Sequence, residues 1–409
     1  MSLDANELKS AFSGQWIDVR LGDVASIGSG GTPKSTVSEY YGGNIPWVSI
    51  SDMTKRGKWI GETDKCLTEL GLSNSSARLY PKNTILYAMY GSIGECSIAQ
   101  ADLASSQAIL GIVPSDCLDF SYLYFYLCSL KDNVKSLGQQ GTQANLNAAI
   151  VKDFKLKLPP IEEQKAIAKI LSTWDVSIAT TEQLLTNSQA RKKGLMQVLL
   201  TGEKRLPGFE GEWAVNALSD CLSESRIHST ENNPHKRLTV RLHLNGIEAR
   251  ACRGTESDGA TAHFVRRSGQ FIYGKQNIHK GAFGLVPECF DMYETSQDIP
   301  AFDFKENCHS QWLLYYCAQE SFYQRLEAKM TGTGSKRLNP ADFLKTHIAM
   351  PSLREQLAIA SVLSDAEKEI EALQKRLECL KQEKKALMQQ LLTGKRRLAV
   401  DTELTEEAA

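Results

Sequence analysis

The chain has 409 residues, 42% of them hydrophobic and 23% charged, with a formal net charge of −1. That length exceeds one small core and predicts two or three domains of ordinary composition, while so neutral a chain has to hold any polyanion by local basic patches. No apolar run approaches the roughly 20 residues that span a bilayer, and the opening MSLDANELKS lacks the basic and apolar regions of a signal peptide, so a cytoplasmic chain without membrane contact is expected.

Along the chain, residues 13–157 read as a first globular unit. Short β-rich runs such as TILYAMY (84–90) and AILGIVP (108–114) are punctuated by glycine turns, and an aromatic helical run follows, YLYFYLCSL (122–130). A proline pair, Pro159-Pro160, then opens a long stretch with helix grammar. The linker TGEKRLPGFEGEW (201–213) leads to a second globular unit over 211–347, with GQFIYGKQ (269–276) as a strand and QWLLYYCAQESFYQRL (311–326) as a helix. Pro351 opens a second long helix. Both units read as compact α+β domains, their aromatic stripes as core.

The two long helices are copies. LPPIEEQKAIAKILS (158–172) aligns with MPSLREQLAIASVLS (350–364), and QVLLTGEKRL (197–206) with QQLLTGKRRL (389–398), at a constant offset of 192 residues from Gln164 to Gln356. An ungapped match over about fifty residues marks a duplication. In the second copy Leu363, Ala366, Ile370, Leu373, Leu377, Leu380, Lys384, Leu387 and Leu391 step by threes and fours. The first copy keeps the phase with Leu171, Trp174, Ile178, Thr181, Leu185, Ser188, Lys192, Leu195 and Leu199. This heptad seam predicts that the helices pack on each other, although an amphipathic helix on an ordinary core has a related pattern. Lys192 and Lys384 fall on the seam, where they snorkel or fix register; DNA contact is the weaker reading of them.

Connectivity sets direction. The short linker keeps the second unit at the far end of the first helix, so the second helix has to return antiparallel. A seam of about 29 residues is then roughly 43 Å long. The terminal TGKRRL is expected against FSGQW (12–16), as TGEKRLPGFEGEW joins the first helix to the second unit. The expected fold is α+β: two globular domains separated by two long antiparallel coiled-coil helices, pseudo-two-fold and circularly closed. The segments are 1–157, 158–206, 207–347, 348–398 and a tail, 399–409.

Catalytic motifs are not found. GSGGTPKS (28–35) fits a phosphate-binding loop except that Pro33 replaces the glycine before lysine, which removes an N–H and a permissive φ. A Gly-rich strand connection and a loop approaching a DNA backbone remain as readings. The seven histidines all lie at or after His228 without ligand spacing, and the ten cysteines form no C-x-x-C, so reduced, mostly buried thiols and no metal site are expected.

Two variable globular regions separated by duplicated helices that open with P-[PS]-[IL]-x-E-Q-x-x-I-A and close with LLTG-x-[KR]-RL resemble the specificity (S) subunit of type I restriction–modification systems. YGSIGECSIA (90–99), LGDVASIGSGGTPKS (21–35) and YETSQDIPAF (293–302) are similar to stretches of that family's target-recognition domains. The resemblance covers essentially the whole chain. It implies a non-catalytic DNA-binding subunit whose two domains each read one half of a bipartite, gapped site. The helices would serve as ruler and as platform for two adenine methyltransferase (M) subunits, with restriction (R) subunits joining through the complex. S-adenosylmethionine and ATP would bind those partners, leaving no cofactor on this chain. The spacer length fits: 43 Å is roughly 12 base pairs of duplex, about one turn.

The family's recognition domains vary, so contact residues are chosen by chemistry: Arg, Lys, Gln and Asn near glycine-rich loops. In the first unit these are Lys34, Ser35, Lys55, Arg56, Lys58, Thr142, Gln143 and Asn145. In the second they are Arg266, Arg267, Lys275, Gln276, His279, Lys280, Thr333, Lys336 and Arg337. A coiled-coil scaffold of a related defence complex that binds only proteins is the alternative, and a nucleotide-using enzyme resting on GSGGTPKS is a third.

Overall fold

A computed structural model describes residues 15–134, 146–252 and 262–399. The chain forms two compact units, residues 1–181 with 376–409 and residues 182–375. Each unit therefore joins one mixed domain to one half of each long helix.

In unit 1 a five-stranded sheet runs in the order Ala25–Ser29, Ile109–Pro114, Ile85–Ala88, Cys96–Ala99, Trp59–Ile60. Helix α1 (Phe120–Ser129), capped by the Asp119 carboxylate on Tyr122 N, buries Tyr122, Leu123, Phe125 and Tyr126 against it. The aromatic stripe is core, as its spacing predicts. In unit 2 the sheet order is Leu222–Ser225, Ala301–Phe304, Phe271–Tyr273, Phe283–Leu285. The expected helix over 311–326 is two helices, Ser310–Cys317 and Glu320–Arg325. Gln319 turns extended between them, and its carbonyl accepts from Phe322 N at 2.8 Å, which turns Phe322 into the core.

Each domain closes by pairing its first strand with its last. Ile17–Arg20 lies antiparallel to Lys155–Leu158, and Ala214–Ala217 to His347–Met350. Directly after the closing strand come the long helices, α2 (Ile161–Leu199) and α3 (Leu353–Leu391).

The seam is as the heptads predict. Leu171, Leu199, Leu363 and Leu391 are buried, while Trp174, Ile178, Leu185, Leu195, Ile370, Leu373, Leu377, Leu380 and Leu387 are less so. In unit 1, Ile167, Ala168 and Leu171 share a core with Leu387, Met388, Leu391 and Leu392. In unit 2, Leu195, Met196 and Leu199 share one with Ile359, Ala360 and Leu363. Rising numbers on α2 meet falling numbers on α3 in both units, so the helices run antiparallel.

The repeated letters are the parts of two locks. Gln164, fully buried, accepts from Asp119 N at 2.8 Å and donates to Cys117 O and Pro159 O at 2.9 and 2.8 Å. Gln356 does the same with His309 N, Asn307 O and Pro351 O at 2.8, 3.1 and 3.0 Å. Each glutamine ties the start of a long helix to the start of a domain helix. Glu163 accepts from the Trp16 indole N–H (2.9 Å), the Arg397 guanidinium (2.9 Å) and Leu398 N (3.1 Å). Glu355 accepts two hydrogen bonds from Arg205 at 2.5 and 2.6 Å. Gly202 and Gly394 take φ of 74° and 73°, as helix-ending glycines do. Trp213 and Trp16 lie against those turns, so close to Gly394 that a Cβ there would sit 3.0 Å from the Trp16 ring. The C-terminal LLTGKRRL thus packs on Trp16 within unit 1. That is the expected closure, though Phe12 lies outside the described residues.

Burial pulls the Glu163 pKa up, but the hydrogen bonds from Arg397, Trp16 and Leu398 outweigh it and hold the carboxyl below its usual range. A depressed carboxylate stabilises the fold above its unfolded pKa and loses that contribution as pH falls through its folded value. The stability difference between wild type and Glu163→Gln should therefore be full at neutral pH and shrink once pH drops below about 4. Denaturant midpoints across that range test this; a difference independent of pH would show that the charge does not hold the lock.

Among the described residues no helix is long and apolar enough to cross a membrane, and no group of three His, Cys, Asp or Glu is placed to hold a metal ion. No disulfide joins the cysteines of the described residues. Cys96, Cys221, Cys308 and Cys317 are buried, whereas Cys252, Cys289 and Cys379 are exposed, so burial is less general than their scatter predicts.

Candidate nucleic-acid interface

In unit 2 backbone hydrogen bonds bring three loops together. The first follows Phe271–Tyr273 and carries Lys275, Gln276, His279 and Lys280. Leu338 N donates to Lys275 O at 2.9 Å, and the Tyr273 hydroxyl to Leu338 O at 3.1 Å, which seats beside it the loop bearing Thr333, Lys336 and Arg337. The third is the tip of a hairpin, Leu238–Val240 with Ile247–Ala249; its His243 N donates to Lys280 O at 2.8 Å. Thr333, Lys336, Arg337 and Lys280 are exposed, and Lys275, Gln276 and His279 half-buried. Burial lowers the Lys275 pKa first, with Asp298 and Glu224 opposing and the Arg226 and Arg337 guanidinia adding to the lowering. At Lys275 the carboxylates of Asp298 and Glu224 act more strongly than the two guanidinia, and Asp298 lies 3.6 Å from Arg337. A phosphate placed there would meet the exposed Lys280, Lys336 and Arg337.

Arg266 does not belong to this group. It is 2% exposed, with its guanidinium on Thr295 Oγ1 (2.6 Å), Ser225 O (3.2 Å) and Ile299 O (3.0 Å). Burial pulls its pKa to about 10, so it stays charged at neutral pH as an internal strut. The sequence reading of Arg266 as a DNA contact is corrected: its donors are committed to the protein. Arg267 is exposed, at a turn where its backbone N–H binds Gln270, away from the hydrogen bonds that join the three loops.

In unit 1 Lys34 and Ser35 are exposed on the loop after Ala25–Ser29. The glycines before them are not a phosphate cradle. Gly30 N and Gly31 N donate to Ile109 O and Ser105 O at 3.0 and 2.8 Å, and a Cβ on either would collide with backbone. Those close approaches explain the glycines, and the loop leads into a single 3-10 turn and a strand rather than an α-helix. The motif is the Gly-rich strand connection. Lys55 is paired with Asp64 at 2.5 Å, and Arg56 lies 3.6 Å from Glu62 and 3.8 Å from Asp64. Ser35 and Asp64 line one groove of about 380 Å³. Thr142, Gln143 and Asn145 lie outside the described residues.

Lys58 is a second correction. It is 18% exposed, pairs with Asp175 of α2 at 2.9 Å and lies 4.4 Å from the Phe125 ring centre. Asp175 also pairs with Lys384 of α3, so Lys58 fastens the domain to the helices. Unit 2 repeats the arrangement: Lys192 pairs with Glu367 at 2.7 Å, and Glu367 accepts from the Tyr315 hydroxyl at 2.7 Å. The seam lysines bind acids across the helix pair, which is the register role.

Two features escaped sequence reasoning. One is the 241–246 hairpin tip, whose Leu242 and Leu244 are 38% and 42% exposed. The other is Tyr90, 42% exposed on the unit 1 loop between Ile85–Ala88 and Cys96–Ala99, which occupies the place in its sheet that the Lys275 loop has in unit 2. Neither has a periodic signal, because exposed loop side chains obey no pattern.

The family model described as a type I restriction modification DNA specificity domain matches residues 14–187 and 255–382. The MjaVIII specificity subunit of Methanocaldococcus jannaschii is 26% identical over 94% of this chain and 93% of its own length. The MjaIX specificity subunit of the same organism is 26% identical over 54% of each chain, so this chain spans about half the length of that relative. Two solved structures share the fold: the S subunit from M. genitalium (13% identity, TM-score 0.57, covering 93% and 96% of the two chains) and a specificity subunit from Thermoanaerobacter tengcongensis (16%, 0.53, 94% and 98%). Repeated locks, a duplicated helical frame and two unlike domains agree with these matches, and the chain belongs to the type I restriction–modification DNA specificity family.

Proposed function

We propose that this chain is the DNA sequence-specificity subunit of a cytoplasmic type I restriction–modification complex. Each domain reads one half of a bipartite, gapped site, the paired helices set the gap, and two adenine methyltransferase subunits dock on them. The observation that carries this reading is the contrast between frame and loops. The Glu163–Gln164 and Glu355–Gln356 pairs recur in both helices, while the loops differ in charge: GTGSKRLN (332–339) carries Lys336 and Arg337 where the related GTQANLN (141–147) carries no cation. Such a frame suits two different readers presented to identical partners. Lys275, Gln276, His279, Lys280, Thr333, Lys336 and Arg337 are the proposed DNA contacts of unit 2, with Lys34, Ser35, Lys55 and Arg56 those of unit 1. This chain supplies no catalytic group; S-adenosylmethionine and ATP bind the methyltransferase and restriction subunits.

Exchanging residues 211–347 for the matching domain of another specificity subunit should change one half of the methylated sequence and leave the other half and the gap intact. Sequencing methylated adenines in DNA from cells carrying each complex reads the outcome. A change in both halves would undo the modular reading. Binding without any sequence preference would leave the scaffold in its place.

A further inference from the structure

The stretch RLHLNG at 241–246 forms a tight hairpin turn of an unusual composition. Arg241 N donates to Gly246 O at 2.9 Å and Asn245 N to Leu242 O at 3.2 Å. His243 and Leu244, the two central residues, take φ of 58° and 60°. Two successive positive φ values define the type I′ turn, which Asn-Gly fills without strain. A histidine and a leucine there are both strained, since the left-handed region crowds Cβ. The neighbouring turn holds the strain in place: His243 N donates to Lys280 O, and Leu244 N to Gly281 O at 3.0 Å. Only backbone makes those bonds, so Asn-Gly would serve the fold as well.

The side chains stay accessible, although Leu244 also lies over Gly281 of the neighbouring turn. Residues 241–245 are all exposed, including two leucines. Their surroundings say what they meet. Through Lys280 the tip adjoins the cluster of Lys275, Lys336 and Arg337, which suits a polyanion rather than an apolar protein face. A two-stranded ribbon fits the major groove of duplex DNA, where leucine can cover a thymine methyl and asparagine can pair with the edge of adenine.

We propose that the 241–246 tip enters the major groove of the half-site read by unit 2, with Leu242 and Leu244 against thymine methyls and Asn245 on an adenine edge. This inference rests on the proposed function and names its reading element.

The test is His243→Asn with Leu244→Gly, which relaxes the turn, exchanges the imidazole for an amide and removes the Leu244 side chain, alongside Leu242→Ala. Each is assembled with the methyltransferase subunits, and DNA binding is competed with duplexes altered in one half-site or the other. The unfolding midpoint of the double variant should hold or rise. Its discrimination at the unit 2 half-site should fall roughly tenfold, as should that of Leu242→Ala, with discrimination at the other half-site unchanged. Full discrimination in both variants would overturn the inference, as would loss of methyltransferase assembly with discrimination intact, which would mark a protein contact. Failure of the wild-type complex to discriminate at all would instead sink the proposed function.

Discussion

Replacing Gln164 by leucine should destabilise unit 1 by about 3 kcal/mol, because three backbone groups lose a buried side-chain partner. Leucine fills nearly the same volume, so the loss isolates hydrogen bonding from packing. The residue is fully buried, and Asp119 N, Cys117 O and Pro159 O all depend on its amide. The same change at Gln356 should cost a similar amount in unit 2, where His309 N, Asn307 O and Pro351 O occupy the matching places. Denaturant unfolding of each variant beside wild type measures both. A cost under about 1 kcal/mol would mean that the groups find water or shift to new partners, and that the E-Q pair is a helix start rather than a lock.

Removing Lys275, Lys336 and Arg337 together by alanine should weaken DNA binding by ten- to a hundredfold near physiological salt. The slope of log affinity against log salt should flatten by about one for each phosphate that is no longer neutralised. Lys336 and Arg337 are exposed and Lys275 is half-buried, so the unfolding midpoint should move little. Arg266→Ala should behave in the opposite way. Its guanidinium spans Thr295, Ser225 O and Ile299 O, and removing it takes that donor from all three and leaves a cavity in the core. It should lower stability strongly while leaving the salt slope of the folded protein unchanged. Equal effects of the two sets on the slope would mean that the three-loop cluster is not the phosphate-binding face.

Helix periodicity and duplication were legible because they repeat. Leu171 to Leu199 and Leu363 to Leu391 recur every three or four residues, and an apolar face that must be buried leaves that trace in any sequence. The closure of the C-terminal segment on Trp16 was legible for the same reason, since the 197–206 phrase already shows what TG-x-[KR]-RL does. Contact residues were legible only as chemistry. Arg266 and Lys58 look like any cation beside a glycine or an aromatic, and nothing local says that one is a buried strut and the other a fastener to α2.

By itself the sequence determined the number of domains, the two long helices, their antiparallel packing and the membership of Glu163, Gln164, Glu355 and Gln356 in a repeated structural motif. These follow from short-range periodicity and from comparing the chain with itself. The tertiary structure alone decided which cations face outward. That depends on partners far away in the chain: Asp175 for Lys58, Ser225 and Ile299 for Arg266, Leu338 for the loop of Lys275. A cation's availability is set by what packs around it. Packing between distant segments leaves no pattern along the chain, so no reading of local chemistry could have sorted the buried arginine from the exposed one next to it.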